Sequence, residues 1–203
     1  MKMNLVNLGL IEKIISQASK SSIKKLNSTA KKSAVMCLFF EKNNKTFVLL
    51  TKRSEHLDCH AGEISFPGGS EEKEDKDALN TAFRETFEEV GFLQNDIKVI
   101  GRLDDYITGT GFHIKTFVGI LKSLDNLSIN KSEVSEVIFL PIDILADNSN
   151  LIWTSKTFED GLYKFWKINY LEHNIWGATA AILVGLASRI WNKSNMTLLI
   201  ESE

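Results

Sequence analysis

Three glutamates near the middle of the chain, Glu85, Glu88 and Glu89, have a spacing that suits metal-ion chemistry. They lie at positions i, i+3 and i+4, which share one face of an α-helix. Three carboxylates side by side repel one another, and a divalent cation converts this repulsion into affinity. Because hard oxygen ligands favour Mg²⁺ or Mn²⁺, the spacing predicts a metal-binding face on a helix.

The residues around the glutamates predict the helix itself. At about 100° per residue, small and apolar side chains fall on one side, and the glutamates lie away from the centre of that stripe. The stripe consists of Leu79, Ala82, Phe83, Thr86, Phe87 and Val90. Asp75 or Asp77 is the expected N-cap and Gly91 the expected C-terminal stop. We therefore expect the helix to bury this aromatic face, while the carboxylates face solvent or a cleft.

A glycine turn, FPGG at residues 66–69, precedes this helix. Pro67 fixes its own φ, and Gly68 and Gly69 permit positive φ and a close approach of the backbone to another group. The turn predicts the end of a strand, and the acidic loop that follows it leads into the positive end of the helix dipole.

The segment from Gly69 to Phe92 resembles the signature of the Nudix hydrolases, GX5EX7REUXEEXGU. The directly matching residues are Arg84, Glu85, Glu88, Glu89, Gly91 and Phe92. Gly69 lies fifteen residues before Arg84, where the general pattern has fourteen, so Lys76 stands at the position of the first glutamate. With a one-residue insertion, either Glu74 or Asp75 fills that position.

In having this extra residue, the segment resembles the branch of the family that cleaves coenzyme A. That branch also carries an upstream motif, LLTXR(S/A)X3RX3GX3FPGG, and residues 49–69 read LLTKRSEHLDCHAGEISFPGG. Asp58 stands where the motif has arginine, which places a carboxylate where a phosphate-rich ligand favours a cation. Residues 103–112 and 175–180 also resemble this branch, and the resemblance extends over about residues 32–190.

The resemblance implies metal-dependent hydrolysis of a pyrophosphate bond in coenzyme A or its derivatives. The products would be phosphopantetheine and adenosine 3',5'-bisphosphate, and the cofactor would be Mg²⁺ or Mn²⁺. The expected catalytic residues are Glu85, Glu88, Glu89 and Arg84, of which the three glutamates are the metal ligands. The expected substrate-binding residues are Arg53, Gly68 and Gly69. Arg84 is expected to orient a glutamate by a charge-assisted hydrogen bond, or to form a plain i,i+4 pair with Glu88.

Several alternatives remain open at the level of sequence. The general base is one of the signature glutamates or a carboxylate from another loop, such as Asp104 or Asp105. Glu63, just before the glycine turn, is a further candidate metal ligand. Asp58 favours another nucleoside diphosphate derivative as substrate, such as ADP-ribose, NADH or a dinucleotide. A non-catalytic Nudix-like binding module is the third alternative, although the intact set of carboxylates argues against it.

Composition and periodicity set the wider expectations. The 203 residues are 43% hydrophobic and 25% charged, which is typical of a globular protein, and the net charge of −2 does not favour nucleic-acid binding. No segment reaches the roughly 20 apolar residues of a membrane span. The two cysteines, without a secretory signal, indicate a cytoplasmic protein. The expected domains are an N-terminal helical extension, 1–30, whose apolar face is compatible with a homodimer, and a Nudix hydrolase domain, 31–195.

Strand-like and helix-like segments are interspersed along the chain and predict an α/β fold. The expected strands cover residues 33–40, 46–51, 63–66, 97–105, 113–121, 134–140, 152–158 and 162–168, with hairpin turns at 42–45 and 159–161. The expected helices cover residues 5–19, the glutamate segment and residues 176–191. Together with the resemblance, this pattern predicts a Nudix-type α/β/α sandwich with a mixed β-sheet.

Overall fold

The computed structural model describes residues 6–17, 30–57, 59–158 and 161–193. Asp58 and residues 159–160 of the predicted hairpin turn lie outside these ranges. The chain divides into two compact units, Met1–Pro141 and Ile142–Glu203. Within the described ranges, no helix is long and apolar enough to cross a membrane.

The first unit contains two α-helices and eight strands among its described residues. They are α1 (Leu8–Gln17), β1 (Lys31–Lys42), β2 (Lys45–Arg53), β3 (Ile64–Ser65), β4 (Gly68–Ser70), α2 (Ala78–Val90), β5 (Ile97–Arg102), β6 (Tyr106–Ile107), β7 (Phe112–Leu121) and β8 (Val134–Pro141). A short 3₁₀ turn, Gln94–Asp96, links α2 to β5.

The eight strands form one mixed sheet around β1. The path through the sheet is β3-β2-β1-β7-β5, with β4 paired to β1, β6 to β7 and β8 to β2. β1 and β7 are parallel, whereas the other pairings are antiparallel. The observed architecture therefore confirms the predicted mixed α/β fold. It also adds the short strands β4 and β6, which the sequence pattern did not indicate.

The hairpin between β1 and β2 follows the predicted turn. Asn43 and Asn44 connect the strands with φ angles of 52° and 59°. Asparagine tolerates this left-handed conformation better than most residues, and two such residues in succession match the twist of the strands they join.

The helices α1 and α2 lie on opposite faces of this sheet. Ile97 and Val99 of β5 contact the apolar cluster that α2 covers, which includes Met36 and Leu38 of β1. Because side chains alternate along a strand, Lys98 points to the other face. There its Nζ lies 2.6 Å from a carboxylate oxygen of Glu12 in α1. The first unit thus has the helix–sheet–helix layering expected of the sandwich.

The second unit consists of a three-stranded sheet and a helix. Two 3₁₀ turns, Ile142–Ala146 and Asn148–Asn150, precede β9 (Leu151–Phe158), β10 (Gly161–Tyr170), β11 (His173–Trp176) and α3 (Gly177–Trp191). The strands pair in the order β11-β10-β9, and α3 packs on β10 and β11. Lys193, beyond the end of α3, donates from Nζ to the carbonyls of Leu145 (3.0 Å) and Ala146 (2.7 Å).

The ends of α2 are fixed by local hydrogen bonds. Asp77 is the N-cap, since its Oδ1 accepts a hydrogen bond from the Asn80 amide at 2.9 Å. Gly91 ends the helix in the left-handed conformation, with φ of 81°, and its N–H donates to the Phe87 carbonyl at 2.9 Å. Only glycine adopts this conformation at little cost, so both predicted ends of the helix are confirmed.

Replacing Asp77 by alanine is expected to weaken α2. The substitution removes the acceptor for the Asn80 amide, and loss of an N-cap costs about 1 kcal/mol of unfolding free energy. Urea unfolding at pH 7 measures the difference. Lys76→Ala, a change at the exposed neighbouring residue, is the control. Equal stability of the two variants would contradict the capping role.

Candidate active site

Glu89 is the most deeply buried of the three glutamates on α2. Only 2% of the residue is exposed, and its Oε2 accepts a hydrogen bond from the Thr51 hydroxyl at 3.2 Å. Burial raises the pKa of Glu89 to about 8, although the hydrogen bond from Thr51 acts in the opposite direction. A carboxyl group in this setting favours its neutral form unless a positive charge lies close to it.

The burial of Glu89 corrects the expectation that all three carboxylates face solvent or a cleft. Counted at about 100° per residue, Glu89 lies between Ala78 and Ala82 on the helix circumference, and both alanines are buried. Phe87, which was assigned to the buried stripe, lies on the far side and is 51% exposed. Small side chains lie at the centre of the face that packs on the sheet, because they permit a close approach, and Phe83 packs beside them.

Glu85 lies directly against the glycine turn. A Cβ atom on Gly69 would overlap the Glu85 carboxyl group, so this carboxyl contacts backbone where any other residue would carry a side chain. The Glu85 side chain is 15% exposed, and burial raises its pKa, whereas the charge of Arg84 lowers it. The close approach expected of Gly69 is therefore present, and its partner is Glu85.

Gly68 has a different reason to be glycine. Its φ is +154°, and an added Cβ would lie 2.6 Å from the Cα of Val35 in β1. The neighbouring Pro67 carbonyl accepts a hydrogen bond from the Met36 amide at 2.8 Å. The turn therefore packs closely against β1, and this contact places Gly69 next to Glu85.

Arg84 connects the acidic loop to the helix. Its Nη1 lies 3.0 Å from Glu85 Oε1 and 2.9 Å from Glu88 Oε2, and its Nη2 donates to the Ser70 carbonyl at 3.1 Å. Both contacts considered for this arginine are therefore present, since it lies against Glu88 at i,i+4 and against Glu85 at the same time. Of the three glutamates, Glu88 is the most exposed, with 43% of its side chain accessible.

Asp75, rather than Glu74, occupies the position of the first glutamate of the signature. Arg84 donates to both of its carboxylate oxygens, Nε to Oδ1 and Nη2 to Oδ2, each at 3.1 Å. Thr81 and the Glu72 amide also donate to Oδ2, at 2.9 and 3.0 Å. Glu74 is exposed. Asp75 follows Gly69 by six residues, as in the family signature, so the extra residue lies between Asp75 and Arg84.

Arg53 lies at the end of β2, two residues after Thr51. Its Nε is buried and has no hydrogen-bond partner within the described ranges. Its positive charge lowers the pKa of Glu89, against the stronger effect of burial. Arg53 is therefore close enough to the buried glutamate to act on it electrostatically.

Asp105, considered as general base, and Glu63, considered as a metal ligand, each form contacts with other side chains. Asp105 pairs with Arg102 and with His113, whose Nε2 lies 2.8 Å from Asp105 Oδ2. Glu63 Oε2 lies 3.0 Å from Nδ1 of His60. The sequence did not indicate the Asp105–His113 pair, because the two residues belong to different strand ends that the turn at 108–111 brings together.

The donor groups of the site fit a divalent cation in chemistry, although they are not gathered around one point. Among the described residues, no three His, Cys, Asp or Glu side chains already stand at metal-ligand spacing. Arg84 draws Glu85 and Glu88 towards its guanidinium, while Thr51 holds Glu89. The fit rests on the oxygen-only donor set and on the raised pKa of Glu85 and Glu89, since a nearby cation favours the ionised form of both.

Comparison with known proteins assigns the chain to a family. Residues 30–160 match the family model described as the NUDIX domain. The chain therefore belongs to the Nudix family, and it is a Nudix hydrolase by its relatives. One relative, the uncharacterized Nudix hydrolase NudL of Photorhabdus laumondii, is 32% identical over 170 residues, which cover 82% of this chain and 89% of the relative.

A second relative is the uncharacterized Nudix hydrolase NudL of Pectobacterium atrosepticum. It is 34% identical over 146 residues, covering 70% of this chain and 74% of the relative. Among solved structures, a MutT/nudix family protein from Enterococcus faecalis aligns with 98% of this chain and 76% of its own, with a TM-score of 0.49 and 12% identity.

Replacing Asp75 by asparagine is expected to reduce stability in a pH-dependent way. The hydrogen bonds from Arg84 lower the pKa of Asp75 from 3.8 to about 2. A lowered carboxylate pKa stabilises the fold above the ordinary pKa and loses this effect as the pH falls towards the lowered value. At pH 7 the wild type should be more stable by on the order of 1 kcal/mol, because water competes for the guanidinium.

Urea unfolding from pH 7 down to pH 3 provides the measurement. The difference between wild type and Asp75→Asn should narrow below about pH 4. Glu74→Gln removes an exposed neighbouring charge and should show neither effect. A difference that is independent of pH would contradict the ionic nature of the Asp75–Arg84 pair.

Proposed function

We propose that this Nudix hydrolase cleaves the pyrophosphate bond of coenzyme A or its derivatives with the help of Mg²⁺ or Mn²⁺. The products are phosphopantetheine and adenosine 3',5'-bisphosphate. The cytoplasmic location and a homodimer formed through α1 are predictions from sequence alone, as are the domain limits 1–30 and 31–195.

One observation carries the proposal: both ends of the upstream motif contact glutamates of the Nudix helix. Thr51, in the LLTKRS segment, donates to Glu89, and Gly69, at the end of FPGG, abuts Glu85. The segment that resembles the coenzyme A branch therefore forms one wall of the site, and the Nudix helix forms the other. This supports a role of the upstream motif in the reaction rather than in folding alone.

The proposed roles follow from these contacts. Glu85, Glu88 and Glu89 hold the divalent cation, which when bound neutralises the diphosphate and activates a water molecule. Arg84 orients Glu85 and Glu88 and is itself held by Asp75. The substrate-binding residues are Arg53, Gly68 and Gly69. In this arrangement the backbone of the glycine turn adjoins the reacting diphosphate, and the Arg53 guanidinium attracts its negative charge.

Asp58 favours a second candidate substrate. A carboxylate replaces the arginine of the coenzyme A motif at this position, and it would oppose a phosphate group nearby. The chemistry and its residues then stay the same, and the substrate is another nucleoside diphosphate derivative, such as ADP-ribose, NADH or a dinucleotide.

A substrate panel tests the proposed function. The protein is incubated with Mg²⁺ or Mn²⁺ and with coenzyme A, acyl-coenzyme A, ADP-ribose, NADH or diadenosine polyphosphates, and products are separated by chromatography. Coenzyme A and its derivatives should give the highest kcat/KM. Glu89→Gln should lower kcat on the order of 100-fold, whereas Glu74→Gln should not. Absence of turnover with all substrates would leave a binding module.

Replacing Asp58 by arginine tests the choice of substrate. The change restores the motif residue, and it should lower the KM for coenzyme A with little change in kcat, because it adds attraction to the phosphates. Asp58→Asn is the matched control, since it removes the negative charge without adding a positive one. If ADP-ribose or NADH is the better substrate and Asp58→Arg impairs its hydrolysis, the second candidate replaces the first.

A further inference from the structure

Lys115 lies in the sheet close to the glycine turn. Ala34 of β1 pairs with Gly69 of β4 along one edge and with Lys115 of β7 along the other. Neighbouring strands are about 4.8 Å apart, so the backbone of Lys115 lies about 10 Å from that of Gly69. Gly69 is the residue that abuts the Glu85 carboxyl group. The strand β7 therefore places a lysine near the candidate active site.

The side chain of Lys115 points to the face of the sheet that α2 covers. Side chains alternate along a strand, and Phe117, two residues further along β7, contributes to the apolar cluster beneath α2. The register between β1 and β7 is continuous over this stretch, so no irregularity reverses the alternation. Lys115 therefore lies on the same face of the sheet as Glu85.

The positive groups beside Lys115 have acidic partners. Lys32 Nζ lies 3.6 Å from Glu71 Oε2, and Arg102 forms an ion pair with Asp105. Lys115 is half-buried, and within the described ranges its Nζ forms no hydrogen bond or ion pair. Its charge is therefore not compensated by the part of the chain that the structure describes.

Asp105 is an acidic residue close to Lys115 in the sheet, but it is engaged elsewhere. It precedes β6, which pairs with β7 next to Lys115. Its carboxylate is held by Arg102 and by Nε2 of His113, which lies 2.8 Å from Oδ2. Because His113 is only 2% exposed, this arrangement is fixed in the interior. The ammonium group of Lys115 is thus left for a ligand.

A half-buried ammonium group without a counter-ion favours a negatively charged ligand. Lysine carries three N–H donors on a flexible stem and binds phosphate as a compact point charge. The reacting diphosphate of the proposed substrate adjoins the glycine turn, so a phosphate at Lys115 is a different group. Coenzyme A has such a group, the 3'-phosphate of its ribose, whereas ADP-ribose and NADH carry no phosphate outside the diphosphate.

We propose that Lys115 binds the 3'-phosphate of coenzyme A and thereby favours this substrate over nucleoside diphosphate derivatives that lack a ribose phosphate. This assignment rests on the proposed function and names a residue for the choice of substrate. It also gives Asp58 a counterpart. The chain has a carboxylate where the coenzyme A motif has arginine, and Lys115 supplies a positive charge for the substrate from β7.

Hydrolysis of coenzyme A and of 3'-dephospho-coenzyme A tests the proposal, since the two compounds differ only in the 3'-phosphate. The wild type should show the higher kcat/KM for coenzyme A. Lys115→Met keeps the apolar stem and removes the charge. It should reduce the ratio of the two kcat/KM values about 10-fold, through KM rather than kcat. Lys115→Arg keeps a cation and should retain most of the preference. An unchanged ratio in Lys115→Met would overturn the proposal.

Lys45→Met is the matched control. It removes the same charge from an exposed residue of β2 and should leave the ratio at the wild-type value. Because the ratio compares two substrates on one variant, a general loss of folded protein or of metal binding affects both substrates alike. An equal fall of the ratio in Lys45→Met and Lys115→Met would indicate an effect of net charge and would count against the assignment.

Calorimetric titration provides a readout that does not require turnover. Adenosine 3',5'-bisphosphate and AMP are the probes, because they differ only in the 3'-phosphate. The wild type should bind the bisphosphate on the order of 10-fold more tightly than AMP, and in Lys115→Met the two affinities should become similar. Equal affinity of the wild type for the two probes would contradict a phosphate site at Lys115.

The outcomes separate this assignment from the proposed function. If Lys115 is required for the tighter binding of the bisphosphate but coenzyme A is not turned over, the proposed reaction fails and the phosphate site stands. If coenzyme A is hydrolysed and Lys115→Met keeps the wild-type ratio, the assignment of Lys115 alone fails. If the wild type neither binds the bisphosphate nor hydrolyses coenzyme A, both fail.

Discussion

The burial of a carboxyl group between α2 and the sheet is the constraint on which the site depends. Glu89 is 2% exposed, and Thr51 donates a hydrogen bond to it. Removal from water disfavours the ionised form, and the neighbouring Glu85 disfavours it further. The helix therefore stays in place because of its other contacts, namely the small residues packed on β1, the cap at Asp77 and the left-handed Gly91.

Arg84 gives the acidic loop its shape. A guanidinium group has five N–H donors in a fixed plane, and this one contacts Asp75, the Ser70 carbonyl and Glu88 together. The glycine turn, the loop and the helix are thereby joined at one point. Such a planar hub explains why lysine, with a single ammonium group, would not serve in its place.

The sequence predicted the parts of the site that depend on local order. The spacing of the glutamates indicated that they share one helix face, and the glycines indicated the turn and the helix end. The asparagines at 43–44 indicated a hairpin turn, because asparagine tolerates the left-handed conformation. The rotation of α2 was not predicted, because Phe87 resembles a core residue while Ala82 is the side chain that packs. The hydrogen bond from Thr51 to Glu89 was also missed, since contacts between distant segments leave no periodic signal.

The parallel pairing of β1 with β7 has a consequence for how the protein is made. β1 can form its hairpin with β2 as soon as both have been synthesised, but it pairs along its other edge with a strand that begins at Phe112. Contacts between segments so far apart in sequence form slowly. During synthesis on the ribosome, the backbone groups along one edge of β1 therefore stay unpaired until β7 has been made. In that interval the nascent chain can form incorrect strand pairings.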